Sequence, residues 1–281
     1  MHLGQVKVEG RVIAAVWEGD LARPIPSHTT LDLIRRAQTE NRPLATVAAE
    51  LASRHAEKLA PALPIQPPEV WACGCTYQAS SAFRDAEHGT REGMYAHVYR
   101  EPRPEIFFKG TSRVCVPAGQ SIGIRADSRF TAPEPELAVV LGSRGAIAGY
   151  TLANDVSAWD IERENPLYLP QSKVYDNCCA LGPVMLTADV LPDPYALEIA
   201  CSIERAGQVI FTGSVSTASL HRRIDALVAA LTFANRVPAG TVLLTGTGII
   251  VPQEAALAPG DIVRIRVPEI GELANPVAMV G

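Results

Sequence analysis

Glu134 and Glu136 stand two residues apart in the run Pro133-Glu134-Pro135-Glu136-Leu137-Ala138-Val139-Val140-Leu141-Gly142. That run has the apolar character of a strand. A strand points alternate side chains to one face, so both carboxylates share a side while Leu137, Val139 and Leu141 take the other. Adjacent like charges repel, and they persist only with a bound cation, a shared proton or full solvation. A second apolar run, Gly149-Tyr150-Thr151-Leu152-Ala153, leads into Asn154-Asp155. If the two strands pair, Asp155 becomes a third oxygen donor. With no His or Cys in the set, these donors suit a hard cation, Mg²⁺ or Mn²⁺. For the glutamate pair taken alone, the competing reading is a solvated edge strand with two surface charges.

The elements that must position these groups can be read in chain order. Val6 to Trp17 alternates as a strand or hairpin, ended by Pro24 and Pro26. Thr30 to Asn41 has helical spacing, with Thr30 or Ser27 as its cap. Pro43 opens a second helix to Leu59, favoured by Ala45, Ala48, Ala49 and Ala52. Pro61, Pro64, Pro67 and Pro68 then mark a boundary between a small domain, 1–65, and a larger one, 66–281. Glu69 to Cys75 reads as a buried strand. Thr76 to Arg100 is polar and charged, either a flap over a pocket or a plain surface excursion. Glu105 to Lys109 is a strand with Glu105, Phe107 and Lys109 on one face. A short helix follows Asp155, from Val156 to Glu164.

The prolines of Pro166 to Lys173 predict a loop without regular helix. Leu181 to Leu186 is turn and strand, and Leu197 to Gly213 a hairpin turning at Arg205-Ala206-Gly207. Ser219 to Asn235 is the clearest amphipathic helix, with Leu220, Ile224, Leu227, Val228, Leu231 and Ala234 on its core face. Thr241 to Leu244 is a strand running into Thr245-Gly246-Thr247-Gly248. Pro259-Gly260-Asp261 turns into a strand from Ile262 to Val267. Many short strands without regular β-α-β alternation predict an α+β, mostly β fold.

Composition narrows the classes. At 281 residues, 47% hydrophobic and 20% charged, the chain can hold one large domain or a large and a small one. A net charge of −5 with no basic run excludes a nucleic-acid partner, and no apolar stretch has transmembrane length. No secretory pattern precedes the first strand, so a cytoplasmic protein is expected. Six cysteines lack the spacing of zinc sites and are expected to be buried, inert thiols.

Five motifs in order resemble the fumarylacetoacetate hydrolase family. They are Glu134-x-Glu136, Gly149-Tyr150-x-x-Ala153-Asn154-Asp155-Val156-Ser157-Ala158, Lys173, Leu181-Gly182-Pro183 and Thr245-Gly246-Thr247-Gly248. The resemblance covers about residues 69 to 281 and implies a mixed β-roll or sandwich core with beta-grasp-like features. It also implies a divalent cation, usually Mg²⁺, and a homodimer or homotetramer. On this resemblance Glu134, Glu136 and Asp155 are the metal ligands and Lys173 the active-site lysine. Thr247 and Gly248 belong to the substrate loop. Family substrates are 2-oxo acids, whose C3 hydrogens become acidic when a cation polarises the 2-oxo group.

Two departures narrow the reaction. Hydrolase members carry a His three residues after their Gly-x-x-Tyr segment and a Glu three further on; here Ser80 and Phe83 stand at those positions. In Ser157-Ala158-Trp159-Asp160, Trp159 replaces an Arg usual in the family, which leaves open any anion contact from that helix. Two segments, Arg103 to Lys109 and Glu164 to Lys173, resemble the 2-dehydro-3-deoxy-D-arabinonate (pentonate) dehydratase branch. That branch removes water from a small 2-oxo sugar acid to give 2,5-dioxopentanoate, and it needs no water nucleophile. On this reading Glu105 and Lys173 are the proton-transfer groups, and Lys109 and Gln171 join Thr247 and Gly248 as substrate contacts. The alternatives are a C–C bond hydrolase, a decarboxylase or isomerase of a related 2-oxo acid, or a non-catalytic metal-binding scaffold.

Overall fold

The computed structural model describes residues 1–78, 94–191 and 193–281. Strand β9 (Pro135–Leu141) is buried at every position, as expected of a near-continuous apolar run in the middle of a sheet. The sheet order is β3 (Leu21–Ile25), β2 (Arg11–Glu18), β1 (His2–Val8), β12 (Cys179–Thr187), β10 (Ile147–Asp155), β9, β15 (Val242–Leu244), β4 (Val70–Gly74) and β5 (Glu105–Gly110). A short strand, β6 (Cys115–Val116), joins β12 in parallel, and β15 pairs with β4 in parallel. The other pairings of this sheet are antiparallel.

A second sheet runs β14 (Gln208–Ser216), β13 (Glu198–Arg205), β16 (Ile262–Val267), β17 (Gly271–Val280), β7 (Ile122–Arg125). A two-stranded ladder pairs β8 (Thr131–Ala132) with β11 (Ser157–Ala158).

The alternation along β9 sorts the layers. Leu137, Val139 and Leu141 pack with Ile199, Ile203, Val263 and Ile265 of the second sheet. Ala138 and Val140 face the opposite core, where helices α1 (Thr30–Glu40) and α2 (Leu44–Leu51) contribute Leu33, Ile34 and Val47. The arrangement is helices on sheet on sheet, α+β and mostly β as expected. The first strands belong to the same layer as the carboxylates: β1 pairs with β12, and Leu3 and Val16 share a core with Val140 and Val242. A boundary at residue 65 thus divides elements of one sheet. None of the described helices is long and apolar enough to cross a membrane.

Several local expectations are corrected. Pro24 does not end the hairpin but lies within β3, where an edge strand tolerates its missing N–H. The cap of α1 is Thr29, whose Oγ1 accepts from the Asp32 N–H while the Asp32 carboxylate accepts from the Thr29 N–H, a reciprocal capping box. Helix α2 stops at Leu51, short of Leu59, because Ala52 turns extended. Pro166 and Pro170 do not exclude helix. They occupy the first turns of a 3₁₀ segment (Pro166–Tyr168) and an α-helix (Leu169–Lys173), where an amide donor has no intrahelical partner to lose.

The amphipathic helix near residue 225 is shorter than its apolar stripe, spanning Ile224–Thr232. Strand β12 runs straight through Pro183, opposite a register shift in β10 that spares it a ladder bond. The segment after Val267 forms β17, which the sequence pattern did not reveal. Of the expected flap 76–100, residues 79–93 lie outside the described residues, and its end is a helix, Met94–Arg100.

The Pro259-Gly260-Asp261 turn is held by a fork between the Arg205 guanidinium and the buried Asp261 carboxylate, with both N–O distances 2.8 Å. Arg205 also donates to the Ala256 carbonyl, and Ala258 N–H donates to Asp261. Asp261→Ala is therefore expected to destabilise the protein by about 2 kcal/mol, read as a lower midpoint in urea. An unchanged midpoint would show that the turn holds without the fork.

Candidate active site

Pairing of β9 with β10 sets Ala153 opposite Glu136 and Asn154 opposite Pro135, so the ends of the two strands converge. Asp155 N–H donates to the Glu134 carbonyl, and Glu134 N–H to Asn154 Oδ1, each at 3.0 Å. Glu134, Glu136 and Asp155 thereby come together, each offering a carboxylate oxygen within 4.8 Å of the others. All three are buried, which removes the reading of a solvated edge strand.

Two lysines enter this cluster. Lys173, at the end of its short helix, reaches Glu134 Oε1 at 2.9 Å, Asp155 Oδ2 at 3.4 Å and Ser157 Oγ at 2.6 Å. Its ammonium also lies 5.4 Å from the centre of the Phe107 ring. Lys109, on β5, is ion-paired with Asp155 Oδ1 at 2.5 Å and donates to the Val156 carbonyl at 3.0 Å. Burial opposes charge on Lys109, but Asp155, together with the neighbouring Cys178 and Cys179, raises the lysine above its ordinary value. Lys109, expected as a substrate contact, is fully buried and holds the Asp155 carboxylate.

Glu136 has a different surround. Its Oε2 accepts from the Gly246 N–H at 2.5 Å, while its Oε1 is buried without a hydrogen-bond partner. Burial, then the negative charges of Asp155 and Glu134, hold this carboxyl well above the usual carboxylate range. Only glycine fits at position 246. Its φ of +92° is left-handed, and a Cβ would sit 2.0 Å from Thr76 Oγ1 and 2.9 Å from the Cys73 carbonyl oxygen. An all-oxygen donor set with an unsatisfied buried carboxylate oxygen fits a hard divalent cation. Glu134, Glu136 and Asp155 would hold it.

Glu105 lies on the edge strand β5, with β15 and β4 between it and β9. Its carboxyl comes inward across Gly74, where a Cβ would stand 2.0 Å from Glu105 Oε2, and Cys75 Sγ donates to the same oxygen at 3.3 Å. Glu105 lines a cleft of about 340 Å³ together with Tyr95, Val98, Arg103, Glu162 and Leu169. A larger hollow of about 560 Å³ is lined by Trp17, Lys58, Pro183 and Glu272, none of them from the carboxylate cluster. The smaller cleft has no member of the carboxylate cluster in its lining either, but it brings Glu105 and Glu162 to one surface.

Of the other expected contacts, Thr247 is buried beside Gly246, and its Oγ1 accepts from Ile249 N–H at 3.2 Å, shaping the turn. Gly248 gives room to Tyr77, whose ring would lie 2.7 Å from a Cβ there. Gln171 is not brought into the cluster. It is exposed, and its carbonyl accepts from Arg125. Ser80 and Phe83 lie outside the described residues.

Sequence reasoning missed Glu162, a buried carboxylate 4.0 Å from Lys173 Nζ that also borders the cleft. It also left open what Trp159 does: its indole N–H donates to Glu134 Oε1 at 2.7 Å, a neutral donor in place of the family's usual cation. Their spacing of three on one helical face was the available signal.

The model of the fumarylacetoacetate hydrolase C-terminal domain matches residues 75–278. The 2-dehydro-3-deoxy-D-arabinonate dehydratase of Saccharolobus solfataricus is 48% identical over 217 residues, covering 76% of this chain and 73% of that protein. A probable 2-keto-3-deoxyxylonate dehydratase of Haloferax volcanii is 43% identical over 263 residues, covering 93% and 88%. A solved 2-keto-3-deoxy-D-arabinonate dehydratase complexed with magnesium and 2,5-dioxopentanoate superposes with a TM-score of 0.84 at 38% identity, covering 100% of this chain and 99% of the other. With its carboxylate cluster on paired strands and a family model matched over most of its length, the chain belongs to the fumarylacetoacetate hydrolase family.

Proposed function

We propose that this protein is a Mg²⁺-dependent hydro-lyase that converts 2-dehydro-3-deoxy-D-arabinonate to 2,5-dioxopentanoate. The observation that carries this reading is the end-to-end match to a solved dehydratase holding magnesium and that same product. Residues 66–281 carry the chemistry and residues 1–65 form a small supporting lobe. The buried Cys73 and Cys178 thiols suit a reducing compartment, which supports the cytoplasm. A homodimer or homotetramer is the proposed assembly, supported by apolar surface at Leu167, Val209 and Phe233.

Glu134, Glu136 and Asp155 hold the cation, with Lys109 fixing Asp155 and Gly246 N–H fixing Glu136. When bound, Mg²⁺ polarises the 2-oxo acid and makes its C3 hydrogens acidic. Glu105 removes a C3 proton, and the C4 hydroxyl leaves as water with a proton supplied from Lys173. The resulting 3-ene carries its remaining hydroxyl on C5 and tautomerises to the dioxo product. The burial of the cluster keeps bulk water away, which favours elimination over hydrolysis. Thr247 and Gly248 shape the loop that closes the carboxylate end of the site.

Purified protein given 2-dehydro-3-deoxy-D-arabinonate and Mg²⁺ is expected to release 2,5-dioxopentanoate, with turnover abolished by EDTA and restored by Mg²⁺. Formation of pyruvate would overturn the dehydration. Glu105→Gln is expected to lower kcat by roughly 10²-fold or more while leaving Mg²⁺ affinity in place. Gly74→Ala should act in the same direction at unchanged stability, since it displaces only the end of the Glu105 side chain; full activity in either variant removes Glu105 from the mechanism.

The Glu136 carboxyl makes the metal-free protein sensitive to pH. Unfolded, it ionises near its ordinary value of 4.5, whereas folded it keeps its proton to higher pH. Its contribution to stability is therefore complete below pH 4.5 and is lost as pH rises through the folded value. Thermal denaturation in EDTA should accordingly show Tm falling as pH rises through that window, and saturating Mg²⁺ should flatten the fall. Parallel curves with and without Mg²⁺ would remove Glu136 from the ligand set.

A further inference from the structure

Arg222 lies outside the carboxylate cluster, between a 3₁₀ turn (Thr217–Ser219) and the helix Ile224–Thr232. Its guanidinium reaches across to the end of the helix Met94–Arg100. Nη2 donates to the carbonyls of Val98 at 2.9 Å and Tyr99 at 3.3 Å, and in a short contact to Glu101. Nη1 donates to the Pro102 carbonyl at 3.2 Å. The four carbonyls include the last of the helix, which lack intrahelical donors and carry the negative end of its dipole.

The neighbouring residue works at the same place. The His221 ring stacks on Tyr99, with centroids 4.1 Å apart and planes 25° from parallel, and His221 N–H donates to the Thr76 carbonyl at 3.0 Å. Thr76 and Val98 to Pro102 are thereby drawn to one dipeptide. The helix so held supplies Tyr95 and Val98, three residues apart on one face, as the wall of the cleft that Glu105 and Glu162 border.

We propose that Arg222 is a positioning residue for substrate binding: it clamps the wall bearing Tyr95 and Val98 against the acidic side of the cleft. The inference rests on the dehydratase reading for its substrate but on the clamp geometry for its cause. Arg222 touches no reacting atom, and the cation ligands stand on other strands. Its loss loosens the wall without altering the carboxylate cluster. A lysine cannot replace it, because a single ammonium does not present the planar fork that spans several carbonyls.

The test is kinetics of wild-type, Arg222→Ala, Arg222→Lys and Tyr99→Leu protein with 2-dehydro-3-deoxy-D-arabinonate, paired with hydrogen exchange of the intact chains. Arg222→Ala is expected to raise KM about tenfold with kcat within about twofold, the signature of lost ground-state binding. Arg222→Lys should keep the raised KM, and added guanidinium ion should lower it in Arg222→Ala but not in wild type. Amides of residues 94–102 should exchange faster in Arg222→Ala, while those of β9 and β10 keep their protection. Tyr99→Leu, which removes only the ring stack, should shift KM and exchange in the same direction by less, and it stands in should Arg222→Ala fail to fold. Unchanged KM, a fall in kcat alone, or unchanged exchange at 94–102 overturns the clamp. Absence of dehydration in wild type overturns the functional reading instead, and exchange at 94–102 still judges the clamp.

Discussion

Three carboxylates removed from water within a few ångströms of each other are the constraint around which this molecule is built. Left alone they would disrupt the middle of the sheet, because burial strengthens their repulsion while withdrawing the solvation that offsets it. Two buried ammonium groups answer part of that charge. Lys109 binds Asp155 from one side, Lys173 bridges Glu134 and Asp155 from another, and one negative charge is left over for a cation to meet. The donors around the cluster are equally fixed: an indole N–H on Glu134 and a backbone N–H on Glu136. The result is a rigid cage whose remaining freedom lies in its occupant.

The rest of the fold delivers these groups from distant parts of the chain. Paired strands supply the carboxylates, an edge strand supplies Lys109 and Glu105, a proline-started helix supplies Lys173, and a left-handed glycine supplies the amide. Each is held by a device of its own. Gly74 and Gly246 act by lacking a side chain, leaving space for Glu105 and for the approach of Thr76. The helices α1 and α2 act by filling the face of the sheet opposite the second sheet, so that β9 is buried on both sides. Function and packing therefore meet on a single strand, whose alternation serves both.

Much of this was legible before any coordinates. Period-2 geometry put the E-x-E pair on one face of an apolar run, and Asp155 joined it on the condition that the second run pairs with the first. Lys173 and the glycine-rich loop needed the family resemblance, because their approach depends on non-local folding. What stayed hidden has physical reasons. Pro24, Pro166 and Pro170 were read as breakers, yet each sits where its missing N–H has no partner to lose, and that position is set by neighbouring strands and caps. Glu162 and Arg222 were not singled out from the sequence. Glu162 is buried by tertiary packing, at which its three-residue spacing from Trp159 only hinted, and Arg222 is satisfied by carbonyls more than a hundred residues away, which leaves no trace in local spacing. The helix near residue 225 was overrun at its start because Leu220, in the turn before it, packs against the same core, whereas Ala234 beyond its end is exposed.

The central place of β15 carries a consequence for how the chain acquires its shape. This three-residue strand, Val242–Leu244, separates β9 from β4 and is hydrogen-bonded to both. On a ribosome, the facing edges of β9 and β4 stay unpaired until more than a hundred residues beyond β9 have been made. Such a contact is long-range in sequence and carries the entropy of closing a large loop, which slows its formation. During that interval two apolar strand edges are exposed to neighbouring chains, a period in which helper proteins that shield nascent chains matter most. The carboxylate cage is accordingly a late product of folding, completed only when the last central strand slots into the gap.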